Sequence, residues 1–291
     1  MKIRTRLLLA SLVIGLIGVG VSPTQAVVQD KLLWAQYFGE KAGSKPNSKF
    51  WSYDIGNGNG WGNNEQQYYT NKTANLATNG KGQLVIKAIK LNIDDPKDNY
   101  ITYWCISCEY SSAKISTRDK LTFKYGSITA RAMVPEGEGM WPAFWMLGVP
   151  RSSCDGWPSC GEIDIMEVRG SDTYHAVQSL HGPGYSGGAA RSHYFTSAEV
   201  PLHTKYHTYR VDWLPNSIKF YIDDKFVGGE TKTSVSPDAW VYNAEFYLIL
   251  NLATGGNFDG GKLDTSIQSA ELKVDWIKYS TLKGYGKLTK Y

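Results

Sequence analysis

Short strand-like runs, several with alternating apolar and polar residues, recur along most of the chain. Those typical of β-strands cover residues 83–91, 111–117, 126–134, 163–168, 206–213, 218–224, 245–253 and 273–279. Glycine, proline, asparagine and aspartate separate the runs, and LPNS at 214–217 predicts a hairpin turn. Residues 246–253, FYLILNLA, are apolar nearly throughout, which predicts a central strand covered on both faces.

The pattern shows no long amphipathic helix, internal repeat or long linker. Aromatic residues make up 13% of the chain, and turns rich in glycine separate the short runs. Many short strands of this kind predict an all-β fold in which two antiparallel sheets pack face to face.

The first 26 residues follow a different pattern from the rest. Three basic residues in MKIRTR precede the apolar run LLLASLVIGLIGVGV and the small residues of SPTQA. This order predicts a secretory signal peptide at 1–26, with an uncleaved membrane anchor as the alternative. We therefore expect a secreted protein, extracellular or periplasmic, whose residues 27–291 form a single domain.

Removing that segment changes the charge balance. The formal net charge is +4, and Lys2, Arg4 and Arg6 supply three of these charges, so about +1 remains. So small a charge gives no reason to expect a nucleic-acid partner, or a membrane partner after signal cleavage. The chain also lacks heptads, so we expect a monomer.

Four cysteines occur in two closely spaced pairs, WCISC and CDGWPSC. In an exported chain an even number predicts disulfides, and the local pairings are Cys105–Cys108 and Cys154–Cys160. A zinc site and a redox-active C-x-x-C are the alternatives. No histidines cluster with the pairs, and a strand-like run follows the first pair, so disulfides are favoured.

The segment GEIDIMEVRG carries three carboxyl groups among apolar residues. On a regular strand Glu162 and Asp164 share one face, whereas Glu167 falls on the other. A β-bulge near Ile165–Met166 would return Glu167 to the face of the other two acids. The spacing therefore predicts a bulged strand with a row of three acids.

Such a row suits hydrolysis of glycosidic bonds. About four strand steps of ~3.3 Å separate the two glutamates, so their side chains can bring the carboxyl groups to about 5–6 Å. That separation is typical of retaining glycosidases. Asp164, between them, can hydrogen-bond to one glutamate and raise its neighbours' pKa values. An exposed acidic strand face and a calcium site are the alternatives.

Residues around the acidic strand predict a sugar-binding cleft. Trp141 and Trp145 precede the strand, and aromatic rings bind the apolar faces of sugars. The glycine-rich loop 56–70 offers Asn63, and His181 precedes another glycine-rich loop. We expect His181 to contact substrate and not to act as the base.

These segments resemble a known family. GEIDIMEVRG is similar to the signature of glycoside hydrolase family 16, in the form with an additional residue that its laminarinases share. GWGNNEQQYYT, GSITARAMVPEGEGMWPAFWMLG, HGPGYSGG, HTYRVDWLPNSIKFYIDD and FYLILNLATGGNFDG also resemble laminarinase segments, in the same order. The resemblance implies a β-jelly-roll sandwich with a concave cleft and endo-hydrolysis of β-1,3-glucan with retention.

The resemblance also implies a role for each acid. Glu162 would be the nucleophile, Glu167 the acid/base, and Asp164 the residue that tunes the nucleophile. Positions that match sugar-contacting residues of the family are Asn63, Arg131, Trp141, Trp145 and His181.

Many members of that family hold a structural calcium ion, although none is needed for the chemistry. Asp275 matches the side-chain ligand, and the carbonyls near Tyr37 and Gly82 match its companions. The family's acidic DEF-like segment is AQYFGE here, which is a departure from that pattern. A structural calcium at Asp275 is the expectation, and no cofactor is expected in catalysis.

Two other functions remain open at this level. The same catalytic residues serve enzymes that cleave mixed-linkage β-1,3-1,4-glucan, agar or carrageenan. A non-catalytic β-glucan-binding protein can keep the fold but usually lacks one of the two glutamates. Because both glutamates are present, the sequence favours a secreted endo-β-1,3-glucanase with polysaccharide as its partner.

Overall fold

A computed structural model describes residues 29–92 and 94–291. The predicted signal peptide lies outside these residues. Within them the chain forms nineteen β-strands and one α-helix, α1 (Pro96–Trp104). None of the helices in this part of the chain is long and apolar enough to cross a membrane.

The strands are short and follow one another with few long connections. The first ten are β1 (Leu32–Tyr37), β2 (Ser52–Asp54), β3 (Gln67–Tyr69), β4 (Leu76–Thr78), β5 (Leu84–Lys90), β6 (Tyr110–Ser112), β7 (Lys114–Ser116), β8 (Leu121–Lys124), β9 (Gly126–Met133) and β10 (Met140–Gly148). The other nine are β11 (Glu162–Arg169), β12 (Asp172–His181), β13 (Arg191–Thr196), β14 (His207–Leu214), β15 (Ser217–Ile222), β16 (Lys225–Thr231), β17 (Phe246–Thr254), β18 (Ser269–Ser280) and β19 (Lys287–Lys290).

The strands form two sheets, as the sequence predicted. The outer sheet has ten of the described strands, in the order β16-β15-β14-β9-β18-β5-β6-β3, with β1 on β18 and β4 on β5. The inner sheet has nine, in the order β13-β12-β11-β10-β17-β7-β2, with β8 on β17 and β19 on β8. All strand pairs are antiparallel except β3 with β6. The all-β sandwich is confirmed.

The main hydrophobic core lies between the two sheets. Every residue of β17 is buried, which confirms the prediction of a central strand. Leu248, Leu250 and Leu252 of β17 pack in the same core cluster as Ile128 of β9 and Ile277 of β18. This core supports β10 and β11, the strands next to β17 in the inner sheet.

Two local features differ from the sequence prediction. The run 111–117 is not one strand, because β6 pairs with β5 in the outer sheet and β7 pairs with β17 in the inner sheet.

Helix α1 was not predicted. Its N-terminus carries a clear signal, since the Asp95 side chain accepts a hydrogen bond from the Lys97 amide and Pro96 occupies the first turn.

Both predicted disulfides are present. Cys105–Cys108 closes the turn after α1, and Cys154–Cys160 closes the loop before β11. The described part of the chain has no free cysteine.

Stability should depend on the core under the inner sheet. Leu250→Ala should lower the free energy of unfolding by about 2–5 kcal/mol, because it leaves a cavity at a fully buried position. Leu32→Ala is the matched control, since Leu32 is 52% exposed, and it should change this free energy by less than about 0.5 kcal/mol. Urea unfolding followed by tryptophan fluorescence measures both. Equal losses would show that the sandwich core does not govern stability.

Candidate active site

The site begins with the bulge in β11. Opposite β10, Asp164 pairs with Trp145 and Met166 pairs with Phe144, so Ile165 is the additional residue. Ile165 and Met166 are both fully buried in the core. The bulge shifts the alternation by one residue, as the spacing predicted, and brings Glu167 to the side of Glu162 and Asp164.

The three acids line one pocket on the inner sheet. Its other lining residues are Trp61, Asn63, Glu65, Tyr69, Lys114, Trp141, Ala143, Trp145 and Asn251. The structure thus brings together the three acids and three of the predicted sugar contacts: Asn63, Trp141 and Trp145.

A larger cavity lies elsewhere, with a volume of about 650 Å³, between α1 and the ends of β5 and β6. Its charged side chains, Lys90 and Glu109, form an ion pair with each other. The smaller acidic pocket is therefore the candidate site.

Each of the two glutamates receives a hydrogen bond from a different indole. Trp157 donates its Nε1 hydrogen to Glu162 Oε2. Trp141 donates to Glu167 Oε1 over 3.0 Å. The acids therefore have unequal surroundings although they lie on one strand. The sequence predicts Trp141 as a sugar contact alone and gives no role to Trp157.

The neighbouring aspartate is held by different groups. Asp164 is 2% exposed, and its carboxyl group hydrogen-bonds to that of Glu162. His181, the last residue of β12, lies opposite Glu162, with its Nε2 atom 3.0 Å from Asp164 Oδ2. The Gly187 amide donates to His181 Nδ1 over 3.1 Å, so the neutral imidazole carries its hydrogen on Nε2. His181 thus lies beside Asp164, and its contact with substrate stays a prediction.

Burial is the main cause of the acids' altered ionisation. It raises the pKa values of Glu162 and Asp164 well above their ordinary range, and repulsion from a neighbouring carboxylate adds to both shifts. Burial and the charge of Glu162 raise the pKa of Glu167 to about 7, against the opposing effects of His181, Trp141 and Arg169. The three groups cannot all be ionised at neutral pH.

One end of the pocket is lined by a polar network that sequence reasoning largely missed. Lys114 Nζ lies 4.2 Å from the centroid of the Trp61 ring and 5.1 Å from that of Trp145. Burial lowers the pKa of Lys114, while Asp54 and Glu65 act in the opposite direction. The available signal is a lysine within the strand-like run SSAKIST.

Hydrogen bonds order the remaining side chains of that network. Glu65 accepts bonds from Gln67 Nε2 over 2.6 Å and from Asn63 Nδ2 over 3.4 Å. Asn251 Oδ1 accepts a bond of 2.7 Å from Trp145 Nε1. Asn63 is thus held by a residue of its own loop, and Trp145 is held by Asn251 of β17.

The placement expected for Arg131 is wrong. Alternation along β9 directs Ala130 and Ala132 into the core and Arg131 to the outer face of the outer sheet. There the guanidinium pairs with Asp275 and lies 4.7 Å from the centroid of the Tyr206 ring. The candidate site is on the other sheet, so Arg131 does not join it.

The surroundings of Asp275 do not fit the expected calcium site. Its carboxylate is already paired with the Arg131 guanidinium, which would repel a cation. The Tyr37 carbonyl accepts a hydrogen bond of 2.7 Å from Gln36 Nε2. Both groups therefore have partners within the protein, and we assign calcium no role here.

One group in the described residues has the composition of a metal site. Potential ligand atoms of Glu162, Asp164 and His181 all lie within 4.8 Å of one another. His181 Nε2, which carries a hydrogen and not a lone pair in this tautomer, lies 3.0 Å from Asp164 Oδ2, and Trp157 donates to Glu162. These N–H groups suit a pair of carboxyl groups better than a cation.

Two glutamates and an aspartate beside aromatic rings, on one sheet of a β-sandwich, define a two-carboxylate glycoside hydrolase. Residues 61–278 match the family described as "Glycosyl hydrolases family 16", and the chain belongs to that family. The predicted family resemblance and jelly-roll class are confirmed.

Curated relatives and solved structures agree with this assignment. The chain is 36% identical to glucan endo-1,3-beta-glucosidase A1 of Niallia circulans, over 90% of this chain and 39% of that protein. It is 33% identical to a beta-glucanase of Rhodothermus marinus, over 94% and 93% of the two chains. The laminarinase catalytic domain of Thermotoga maritima superposes with a TM-score of 0.77 at 34% identity, covering 87% of this chain and 98% of that one.

Removing one acid should stabilise the fold at alkaline pH. Below its ordinary value of 4.5, Glu167 is protonated in both the folded and unfolded states, and stability falls as pH rises toward the folded value of about 7. Glu167→Gln should therefore raise the unfolding free energy by about 1 kcal/mol at pH 8, or Tm by about 2–4 °C, with little effect at pH 4. Thermal unfolding at both pH values measures this.

Glu199→Gln is the matched control, because Glu199 is exposed and does not line the acidic pocket. It should leave Tm unchanged at either pH. A Glu167→Gln protein that is less stable at pH 8 than the wild type would contradict the electrostatic account.

Proposed function

We propose that the protein is a secreted endo-β-1,3-glucanase that hydrolyses internal bonds of laminarin-type glucans with retention of configuration. The observation that carries the proposal is the acidic row of β11, where two glutamates on one face receive hydrogen bonds from two different tryptophans. Relatives named for endo-1,3-beta-glucosidase and laminarinase activity support the substrate. The disulfides are compatible with export.

In the first step Glu162 attacks the anomeric carbon. Its carboxylate forms a covalent bond to that carbon as the glycosidic bond breaks, and Glu167 gives its proton to the departing oxygen. The raised pKa of Glu167 keeps that proton available up to about pH 7. Trp157 stabilises the charged form of Glu162, whose pKa its hydrogen bond lowers.

In the second step Glu167 acts as a base. Its carboxylate takes a proton from water, the water oxygen attacks the anomeric carbon, and the bond to Glu162 breaks. Glu162 is regenerated as a carboxylate and Glu167 as an acid, so the cycle closes without any other reactant.

Asp164 is the group that we expect to stay protonated through both steps. It is more deeply buried than either glutamate, and repulsion from Glu167 opposes its ionisation. As a neutral acid it donates a hydrogen bond to Glu162. This bond orients the nucleophile.

The substrate would lie along the pocket beside this row. We propose Asn63, Trp145 and His181 as sugar contacts. We add Lys114 because its side chain lines the same pocket. Trp141 has only 8% of its surface exposed, so we propose that it acts chiefly through Glu167.

Two other relatives correspond to the alternative functions, hydrolysis of a galactan and binding of β-glucan without cleavage. One is a keratan-sulfate endo-1,4-beta-galactosidase of Sphingobacterium multivorum, 28% identical over 88% of this chain. Another is a beta-1,3-glucan-binding protein of Penaeus monodon, 32% identical over 50% of this chain. The presence of both glutamates favours hydrolysis over binding alone.

A substrate panel should distinguish these functions. The purified mature chain should release reducing sugar from laminarin faster than from lichenan, agarose or carrageenan, and Glu162→Gln should abolish the release. Cleavage of a galactan in preference to laminarin would overturn the substrate. Binding of laminarin without cleavage of any of the four would favour the binding protein.

Azide should separate the roles of the two glutamates. Glu167→Ala should lower turnover of laminarin by about 10²–10⁴-fold. On a glucan oligosaccharide with an activated aryl leaving group, azide should restore turnover and form a glycosyl azide of retained configuration. Azide with Glu162→Ala should give the inverted product, because it replaces the nucleophile itself. NMR of the products identifies each configuration, and the reverse pattern would exchange the two assignments.

A further inference from the structure

The loop between β17 and β18 places a phenyl ring against Trp141, beside the acidic row of β11. This clamp loop, residues 255–261, carries Phe258, whose ring stacks on Trp141 with centroids 4.8 Å apart and planes 21° apart. The guanidinium carbon of Arg169 lies over the same phenyl ring, 4.3 Å from its centroid. Phe258 therefore packs on two of the side chains that act on Glu167.

The clamp loop is fastened to three other segments. Arg169 Nε donates to the Phe258 carbonyl over 2.6 Å. Asp259 accepts bonds from Ser171 Oγ over 2.7 Å and from the Gly139 amide over 3.1 Å. The Asn257 amide donates to the carbonyl of Asn63 over 2.8 Å. These contacts fix where the phenyl ring lies.

The backbone of the clamp loop is shaped for this close approach. Gly256 has a φ of 82°, and a Cβ atom there would lie 3.0 Å from the Asn63 carbonyl oxygen and 3.3 Å from Trp141 Cζ3. A side chain at this position would separate the loop from the indole. Close packing of the loop on Trp141 thus depends on glycine.

The orientation of Trp141 matters because its indole N–H is a partner of Glu167. Stacking against Phe258 limits rotation of the indole, so the donor stays aimed at Oε1. The same contact holds Arg169, whose positive charge also acts on Glu167. Without the phenyl ring, both groups would gain freedom to turn away from the carboxyl group.

We infer that Phe258 is a positioning residue for the acid/base, holding Glu167 in its reactive orientation through Trp141 and Arg169. The inference rests on the proposed function, in which Glu167 donates the proton to the leaving oxygen. It also explains why Trp141 offers little open ring face, since the phenyl ring covers one side of the indole.

The test compares two leaving groups. Phe258→Ala should lower kcat on laminarin about tenfold to a hundredfold, as expected for a misplaced catalytic group. The loss should be much smaller on the activated aryl substrate, whose leaving group needs little protonation. Phe258→Trp, which restores a flat ring, should recover most of the activity. Phe226→Ala, at a ring that is 60% exposed and belongs to the outer sheet, should change nothing.

The pH profile provides a second measurement. Glu162, Asp164, His181 and Arg169 are the charged or titratable groups that act on Glu167 from β11 and β12. The Trp141 hydrogen bond lowers the pKa of Glu167, so losing it should move the alkaline limb of kcat/KM to higher pH. In Phe258→Ala that limb should move up, whereas Phe226→Ala should leave it in place.

Several outcomes would overturn the inference. Equal loss on both substrates would indicate general damage to the site, and a higher KM with unchanged kcat would make Phe258 a sugar platform. If Phe258→Ala does not fold, Phe258→Leu keeps most of the apolar volume without the stack and should show the same split between leaving groups. Full activity of Glu162→Gln would instead refute the proposed function, whatever Phe258 does.

Discussion

The site depends on holding three carboxyl groups close together in a largely buried row. Burial and mutual repulsion both oppose ionisation of Glu162, Asp164 and Glu167, so the row is costly for the fold. The bulge at Ile165 creates it, because a regular strand would direct Glu167 into the core. The same cost is useful chemically, since it keeps a proton on a carboxylic acid near neutral pH.

The surrounding structure offsets this cost unevenly. Trp157 reaches Glu162 from a disulfide-closed loop, Trp141 reaches Glu167 from the adjacent strand, and His181 lies beside Asp164 at the end of β12. Because each acid has a different partner, two identical side chains on one strand can take different roles. The buried core under β17 keeps these strands in register.

Comparing Arg131 with Lys114 shows where sequence reasoning reaches its limit. Resemblance alone placed Arg131 in the cleft, yet strand alternation turns it outward to Asp275. Lys114 occupies the pocket between Trp61 and Trp145 and was not selected. The sequence predicts one strand over 111–117, and the division of this run between two sheets at Ala113 decides which way Lys114 points. Nothing local in the sequence marks that division.

Much of the protein was determined by its sequence alone. Alternation and turn residues established the all-β class, and the spacing of the acids required the bulge. Short cysteine separations favoured the two disulfides. All three features follow from contacts between near neighbours in the chain. Tertiary structure decided which indole serves which acid, that Phe258 covers Trp141, and that Arg131 lies on the other sheet. The contacts of Phe258 with Trp141 and of Arg131 with Asp275 join residues more than a hundred positions apart. The geometry of all these contacts depends on how the sheets and loops pack.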